Sequence, residues 1–252
     1  MKKLDEKTSP SDISAVSLRL KKVSTSVGKS TVVRQTSQTE MAYRKLREGI
    51  VNLELKPGEM YSEAQLADFV GLGRTPAREA MHRLTREELV VAKKNRGIMI
   101  TPIDAIKQLQ LLDVRRSLEQ LLAKRSCDKA TPDERRLMLE YAAEIEEAAK
   151  ANDVYAFLSA NRDIQDLKAR SAHNDILKAT MDLFFGLSRR YWVAFHSEVP
   201  GSLVKASQHH AKILRAIATM DVSNAVQYSD ELIDFLENFT RITVHSALDP
   251  NV

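Results

Sequence analysis

Only one cysteine, Cys127, stands in the 252 residues, which excludes an internal disulfide and any zinc site built from cysteines. A lone thiol fits a reducing compartment, and its place in an apolar helical stretch marks it as a buried packing residue rather than a nucleophile. No apolar run approaches the roughly 18 residues of a membrane span, and the first residues lack the apolar core of a signal peptide. The expected location is the cytoplasm, with no membrane partner. A phosphate-binding glycine loop and a nucleophile–base pair at a telling spacing are also missing, which argues against an enzyme. Glycine and proline are scarce in the second half: six of the eight glycines fall by Gly97, and between Ile103 and Leu248 only Pro132 and Pro200 occur. Stretches this free of breakers predict an all-helical domain.

The charge is unevenly divided. Residues 1–102 hold 19 Lys and Arg against 12 Asp and Glu, whereas residues 103–252 hold 19 against 22. An excess of positive charge in one half is what attraction to phosphate requires. Residues 1–38 are rich in Ser, Thr and Lys without a sustained period and read as a basic, disordered N-terminal arm, either adding weak attraction to nucleic acid or inert. From Glu40 onward, Tyr43, Leu46 and Ile50 mark an amphipathic helix.

Residues 55–102 carry the densest local signals. Ser62 is a good N-cap, and Gln65 stands three residues on, where its side chain completes a capping box. That helix runs to about Val70, turning Leu66 and Phe69 inward, and Gly71 and Gly73 break it by taking left-handed backbone. A second helix follows, with Thr75 as N-cap and Pro76 at its first position. Its buried face is Ala77, Ala80, Met81 and Leu84, which leaves Arg74, Arg78 and His82 pointing out together. Cations at a helix N-terminus oppose the helix dipole, a poor arrangement for stability and a good one for a polyanion or a guanine edge. After Leu89 come LVVA, the basic KKNRG and IMIT, two strands joined by a cationic turn. Helix, glycine turn, arginine-bearing helix and basic hairpin together predict a winged helix-turn-helix over residues 39–102.

In the KPGE of residues 56–59, the SEAQLA of 62–67, the RTPAREA of 74–80 and Arg96-Gly97, this segment resembles the GntR family of bacterial transcription regulators. The resemblance implies that Arg74, Thr75 and Arg78 touch an operator and that Arg96 and Gly97 enter a minor groove. Two positions depart from the family pattern. Gly73 stands where the family usually has Ser, losing a phosphate-binding hydroxyl, and Glu88 stands where it usually has Gly, placing a carboxylate near the start of the wing.

Over residues 103–248 the helical spacing predicts six helices, at about 104–129, 132–150, 152–171, 174–197, 202–219 and 221–246. Thr131-Pro132 and Pro200-Gly201 mark boundaries, and Asn152, Asn174 and Asp221 are natural starts. The fold class expected is mostly α, an N-terminal winged helix-turn-helix followed by an all-α six-helix bundle able to enclose a small-ligand pocket. Arg115 lies on the stripe of Leu111, Leu118 and Leu122 and points inward, and a buried arginine needs a partner. Either Glu119, one turn on, fills that role, or Arg115 forks onto a ligand carboxylate. Asn161 and Gln165 share a helix face and either donate to the same acid or to a hydroxyl, or are satisfied polar groups of the core; His210 is a candidate donor or a structural histidine. Arg189, Arg190, Tyr191 and Trp192 receive no assignment.

Arg115 with Leu118-Glu119, the AHN of 172–174, and His210 followed by Ile213, Ala216-Ile217 and Asp221 are similar to the FCD branch of the GntR family, whose C-terminal domain senses a metabolite and forms a dimer. Many members of that branch hold a divalent metal with a carboxylate and three histidines. Registered on those motifs, this chain has Asn161, Gln165, His210 and Leu232 at the four ligand positions. Two neutral amides and a leucine do not replace an anion and two imidazoles, so no metal cofactor is expected, unless a slip in register lets His209, Asp230 or Glu231 rebuild a set. The resemblance implies a homodimeric, cytoplasmic regulator, expected to be a repressor. It would bind a near-palindromic double-stranded operator and respond to a small carboxylate effector at Arg115, Asn161, Gln165 and His210. A constitutive or architectural DNA-binding protein without a ligand is the first rival reading, and a helical-bundle enzyme the second.

Overall fold

The computed structural model describes residues 37–94 and 96–248, so the basic arm expected over residues 1–38 lies, but for its last two residues, outside the described residues. Among the described residues are nine α-helices and one small sheet. Helix α1 spans Gln38–Val51, α2 Glu63–Val70 and α3 Arg74–Arg86. Strands β1 (Met60–Tyr61), β2 (Val90–Lys93) and β3 (Gly97–Ile100) form an antiparallel sheet in the order β1-β3-β2, with Met60 opposite Met99 and Val90 opposite Ile100. The sequence pattern predicts two of these strands. The third, β1, has only two residues, too few to show an alternation.

Capping decides the local boundaries. Ser62 and Gln65 form the expected capping box, and Gly71 ends α2 with φ 68° and ψ 30°, a left-handed turn that glycine reaches without a Cβ penalty. Thr75, however, is not the cap of α3. The helix begins at Arg74, behind an extended Gly73 (φ −62°, ψ 160°) that has no capping side chain. Gly73 therefore does not supply left-handed backbone, Thr75 is the second helical residue, and Pro76 is the third. The missing N–H of Pro76 still costs nothing there, because the amides of a first turn have no intrahelical acceptor. At the other end of α3, Glu88 adopts φ 57°, and the amide of Leu89 donates to Leu84 O across it, a left-handed helix exit of the kind glycine favours.

The remaining helices are α4 (Ala105–Lys129), α5 (Pro132–Lys150), α6 (Val154–Ser171), α7 (Asp175–Phe195), α8 (Ser202–Ala218) and α9 (Val222–Leu248), with a 3₁₀ turn at His196–Glu198. Asp104, Thr131, Asp153 and Asn174 cap α4 to α7. Asn152 is not a start: it takes φ 54° and ends the preceding turn, while its neighbour's carboxylate accepts the Ala156 amide. Helix α9 packs on α4 and α8, and α5 packs on α6 and α8, around a core that includes Leu112, Ile145, Phe157, Ile164, Leu214 and Phe239. Cys127 is buried there, and burial pushes its thiol up to about 11, so it is an unreactive packing group. A separate core under the helix-turn-helix is built from Leu46, Ile50, Leu66, Met81, Leu84 and Ile100.

Helix α1 packs against α7, and polar contacts join its C-terminal end to both α6 and α7. Arg162 Nη1 lies 2.6 Å from Glu48 Oε1 and Arg189 Nη2 3.1 Å from Asn52 Oδ1. Arg190 Nη1 donates to Thr101 Oγ1 at 2.9 Å and its Nη2 to Thr101 O, gripping the linker between the two halves.

Candidate nucleic-acid interface and ligand cavity

Arg74, Thr75, Arg78 and His82 all lie exposed along α3, as its apolar face requires. Arg74 has no ion-pair partner among the described residues. Thr75, released from capping, is exposed in the first turn of the helix, where amides without intrahelical acceptors can bind a phosphate oxygen. Arg78 is engaged: its Nε and Nη2 lie 3.1 and 2.7 Å from Glu63 Oε2 on α2, and that hydrogen-bonded carboxylate raises its pKa. Arg83 faces elsewhere, stacked 3.4 Å over the Tyr43 ring and bound to Glu40.

In the wing, Arg96 is exposed and its amide donates to Lys93 O at 3.0 Å to close the turn. Gly97 has a second duty besides the one the resemblance implies. It takes φ 105°, and a Cβ there would lie 2.5 Å from Tyr61 O, so β1 can pair with β3 only past a bare Cα. Glu88 contacts Lys107 Nζ at the start of α4, tying the helix exit to the bundle.

A cavity of about 710 Å³ opens between the two halves and reaches into the bundle. Arg115, Asn161, Gln165 and His210 all contribute to its wall, as does Leu232, so the tertiary structure brings together residues from α4, α6, α8 and α9. His209, Asp230 and Glu231 are not on that wall. His209 stacks on Phe235, Asp230 accepts from Gln120, and Glu231 from Gln227. Among the described residues no group of three or more His, Cys, Asp or Glu is placed to hold a metal.

The environment of Arg115 is decided. Its Nε and Nη2 lie 3.1 and 2.8 Å from Glu119 Oε1, and Nη1 lies 2.9 Å from Ser188 Oγ. Lys168, fully buried, completes the cluster with Nζ 3.0 Å from Glu119 Oε2. Burial alone would raise the Glu119 pKa, but Lys168 and Arg115 outweigh it and hold the carboxyl at about 2. Two cations and one anion leave a net positive charge under the cavity. Nothing local in the sequence marks Lys168, because a lysine on a helix face is ordinarily solvated.

Asn161 Nδ2 lies 2.8 Å from His210 Nε2. An amide nitrogen only donates, so Nε2 accepts and the neutral ring carries its proton on Nδ1. Burial, then Lys168 and Arg115, push the His210 pKa down to about 3, so the ring is neutral near pH 7. Its Nδ1, Gln165 Oε1, Trp192 Nε1 and Arg189 Nε are buried polar atoms with no partner among the described residues, and all four residues line this cavity. Arg189 and Trp192 carry no assignment in the sequence reading, although two arginines beside two aromatics inside an apolar helix were a signal of buried charge. The helix-turn-helix half contributes Tyr43, Arg47, Glu48 and Arg83 to the same wall. Across the wall seven Lys and Arg face five Asp and Glu, a balance suited to an anion.

The geometry is that of an exposed cationic helix-turn-helix face joined to a bundle with an internal polar cavity. The family model for bacterial regulatory proteins of the gntR family matches residues 38–100, and that for the FCD domain matches residues 110–235. The chain therefore belongs to the GntR family, in its FCD-containing branch, a class of DNA-binding transcriptional regulators and not of enzymes. It is 30% identical over 141 residues to the HTH-type transcriptional regulator YdhC of Bacillus subtilis (strain 168), covering 56% of this chain and 63% of that one. It is 31% identical over 100 residues to the Nta operon transcriptional regulator of Aminobacter aminovorans, covering 40% of this chain and 48% of that one. The matched stretches thus span about half to just under two thirds of those relatives. In fold, E. coli McbR/YncC is similar at a TM-score of 0.72 and 18% identity, over 82% of this chain and 99% of that one.

Proposed function

We propose that this protein is a cytoplasmic, homodimeric, ligand-responsive repressor that releases a near-palindromic operator when a small organic acid enters the cavity between its halves. Each protomer lays α3 in a major groove, with Arg74 and Arg78 on bases or phosphates, Thr75 on the backbone and His82 one turn further on. Arg96 and Gly97 bring the wing to the minor groove. Asn161, Gln165 and His210, above the Arg115–Glu119–Lys168 cluster, bind the effector directly without a metal.

The observation that carries this reading is the shared wall. Tyr43, Arg47 and Arg83 of the DNA-binding half line the same cavity as Asn161 and His210 of the bundle. A ligand there touches both halves, so its affinity differs between arrangements of the two, which is the condition for shifting their equilibrium.

The test is fluorescence anisotropy of a labelled duplex from the promoter region of the protein's own gene. It is run with and without a panel of small carboxylic acids, and with zinc, nickel or manganese present or chelated. Weaker DNA binding with one acid and no metal supports the reading. Identical DNA binding with every acid returns the protein to a constitutive role, and a response only with metal removes the metal-free site.

A further inference from the structure

Four buried polar atoms without partners among the described residues belong to side chains that line one cavity. Arg189 and Trp192 are three residues apart on α7 and so share a helix face, presenting Nε–H and Nε1–H donors. Gln165 on α6 presents an acceptor and His210 on α8 an Nδ1–H donor. Arg115 is already satisfied by Glu119 and Ser188, whereas Arg189 holds only the Asn52 amide oxygen and has no carboxylate at ion-pair distance among the described residues. The nearby carboxylate of Glu48 is taken by Arg162 at 2.6 Å. A largely desolvated guanidinium without a counter-charge is costly, and an anion in the cavity removes that cost.

We propose that Arg189, not Arg115, is the effector's anion anchor. The acid group of a small hydroxylated carboxylic acid accepts from Arg189 and Trp192, while its hydroxyl donates to Gln165 and accepts from His210. This rests on the reading of the cavity as an effector site and assigns the residues that read its two functional groups. It also places the acid group beside Asn52, the residue that follows α1, so the ligand enters the joint between the halves.

Trp192 is the chain's one tryptophan, which makes its emission a reporter within the site. The full-length protein is titrated with lactate, propionate and lactamide, following tryptophan emission and the thermal midpoint, in wild type, R189Q and R189K. Lactate is expected to shift both signals, with propionate several-fold weaker and lactamide without effect. R189Q should weaken lactate at least about tenfold, as the loss of a charge-assisted hydrogen bond implies, and R189K should lie between. Should R189Q fail to fold, as judged by circular dichroism, R189K alone decides, because it keeps the charge and loses the fork. Equal lactate affinity in wild type and the Arg189 variants overturns the anchor and leaves the effector cavity standing, and so does lactamide binding as well as lactate. Propionate binding as tightly as lactate overturns the hydroxyl contacts. No response to lactate or propionate in the wild type removes the cavity reading and the anchor with it.

Discussion

Arg47 on α1 reaches α7 because residue 186 is glycine: a Cβ at 186 would lie 2.5 Å from Arg47 Nη2, which donates to Asp182 O at 2.5 Å. The same guanidinium holds Glu87 Oε2 through Nε at 3.1 Å, and Glu87 is the C-cap of α3. One side chain thus connects the cavity wall to the end of α3. The clashing atom is the tip of a flexible side chain, so Gly186→Ala should displace Arg47 and leave the fold intact. Helix propensity favours the alanine by about 0.5–1 kcal/mol, and stability measured by urea should stay within about 1 kcal/mol of wild type. The effect of the acid on operator affinity, read by anisotropy, should be lost. Unaltered ligand control in this variant would remove Arg47 from the coupling.

Gly97→Ala should behave differently, because the obstacle is backbone. Both φ 105° and the approach to Tyr61 O oppose a Cβ, and a cost of about 2–3 kcal/mol with loss of operator binding is expected. Gly58→Ala is the control: its φ is 79° but nothing lies within 4 Å of a Cβ, so only the left-handed penalty of about 1–2 kcal/mol applies. Equal losses in urea titrations of the two variants would mean that the β1–β3 contact does not matter.

Glu63 holds the Arg78 side chain through two hydrogen bonds to one carboxylate oxygen, and on the proposed reading it competes with DNA for it. Glu63→Gln should free that side chain and tighten operator binding several-fold, with a steeper salt dependence as one more phosphate contact forms. Arg78→Ala should weaken binding by about tenfold or more. An E63Q protein with wild-type affinity and salt slope would show that Arg78 keeps its intramolecular partner on DNA.

The buried cluster should respond asymmetrically to substitution. Glu119→Gln leaves Arg115 and Lys168 buried together without an anion and should cost about 3–5 kcal/mol. Lys168→Met leaves the Arg115–Glu119 pair intact and should cost markedly less. Thermal denaturation of both variants at pH 7 tests this, and a K168M protein less stable than E119Q would reverse the assignment of Glu119 as the keystone.

Acid should destabilise the bundle in two stages. The folded His210 pKa, about 3, lies below the ordinary value of 6.5, so the unfolded chain binds the proton first and stability falls as pH drops from about 6.5 toward 3. The slope cannot exceed about 1.4 kcal/mol per pH unit from this one group. Glu119, held at about 2 against 4.5, adds its own loss as pH falls below about 4.5. Urea midpoints at pH 7.5, 6.5, 5.5 and 5.0 should show the first stage, and His210→Gln should flatten it. A slope unchanged in H210Q would place the sensitive group elsewhere.

Most of the helix-turn-helix was legible because its signals are local: a capping box, a glycine C-cap, a heptad-spaced apolar face and a basic turn each act within a few residues. The start of α3 departs from its local signal: Thr-Pro marks a cap at Thr75, but Gly73 caps the helix without a side chain. The four ligand-position residues were legible only through their register on a known pattern. Arg189 and Lys168 were not legible, because charge on a helix face says nothing about what packs over it.

By itself the sequence determined the helices, the wing, the cationic face of α3 and a second half with few glycines and prolines to break its helices, all properties of hydrogen bonds and side-chain periods within one segment. Only the tertiary structure decided that Lys168 joins Arg115 on Glu119, that Arg189 has no carboxylate at ion-pair distance among the described residues, and that Arg47 passes Gly186 to reach Glu87. Those outcomes depend on which atoms meet across residues 40 to 140 positions apart, where desolvation and close approach, not local propensity, set the energy.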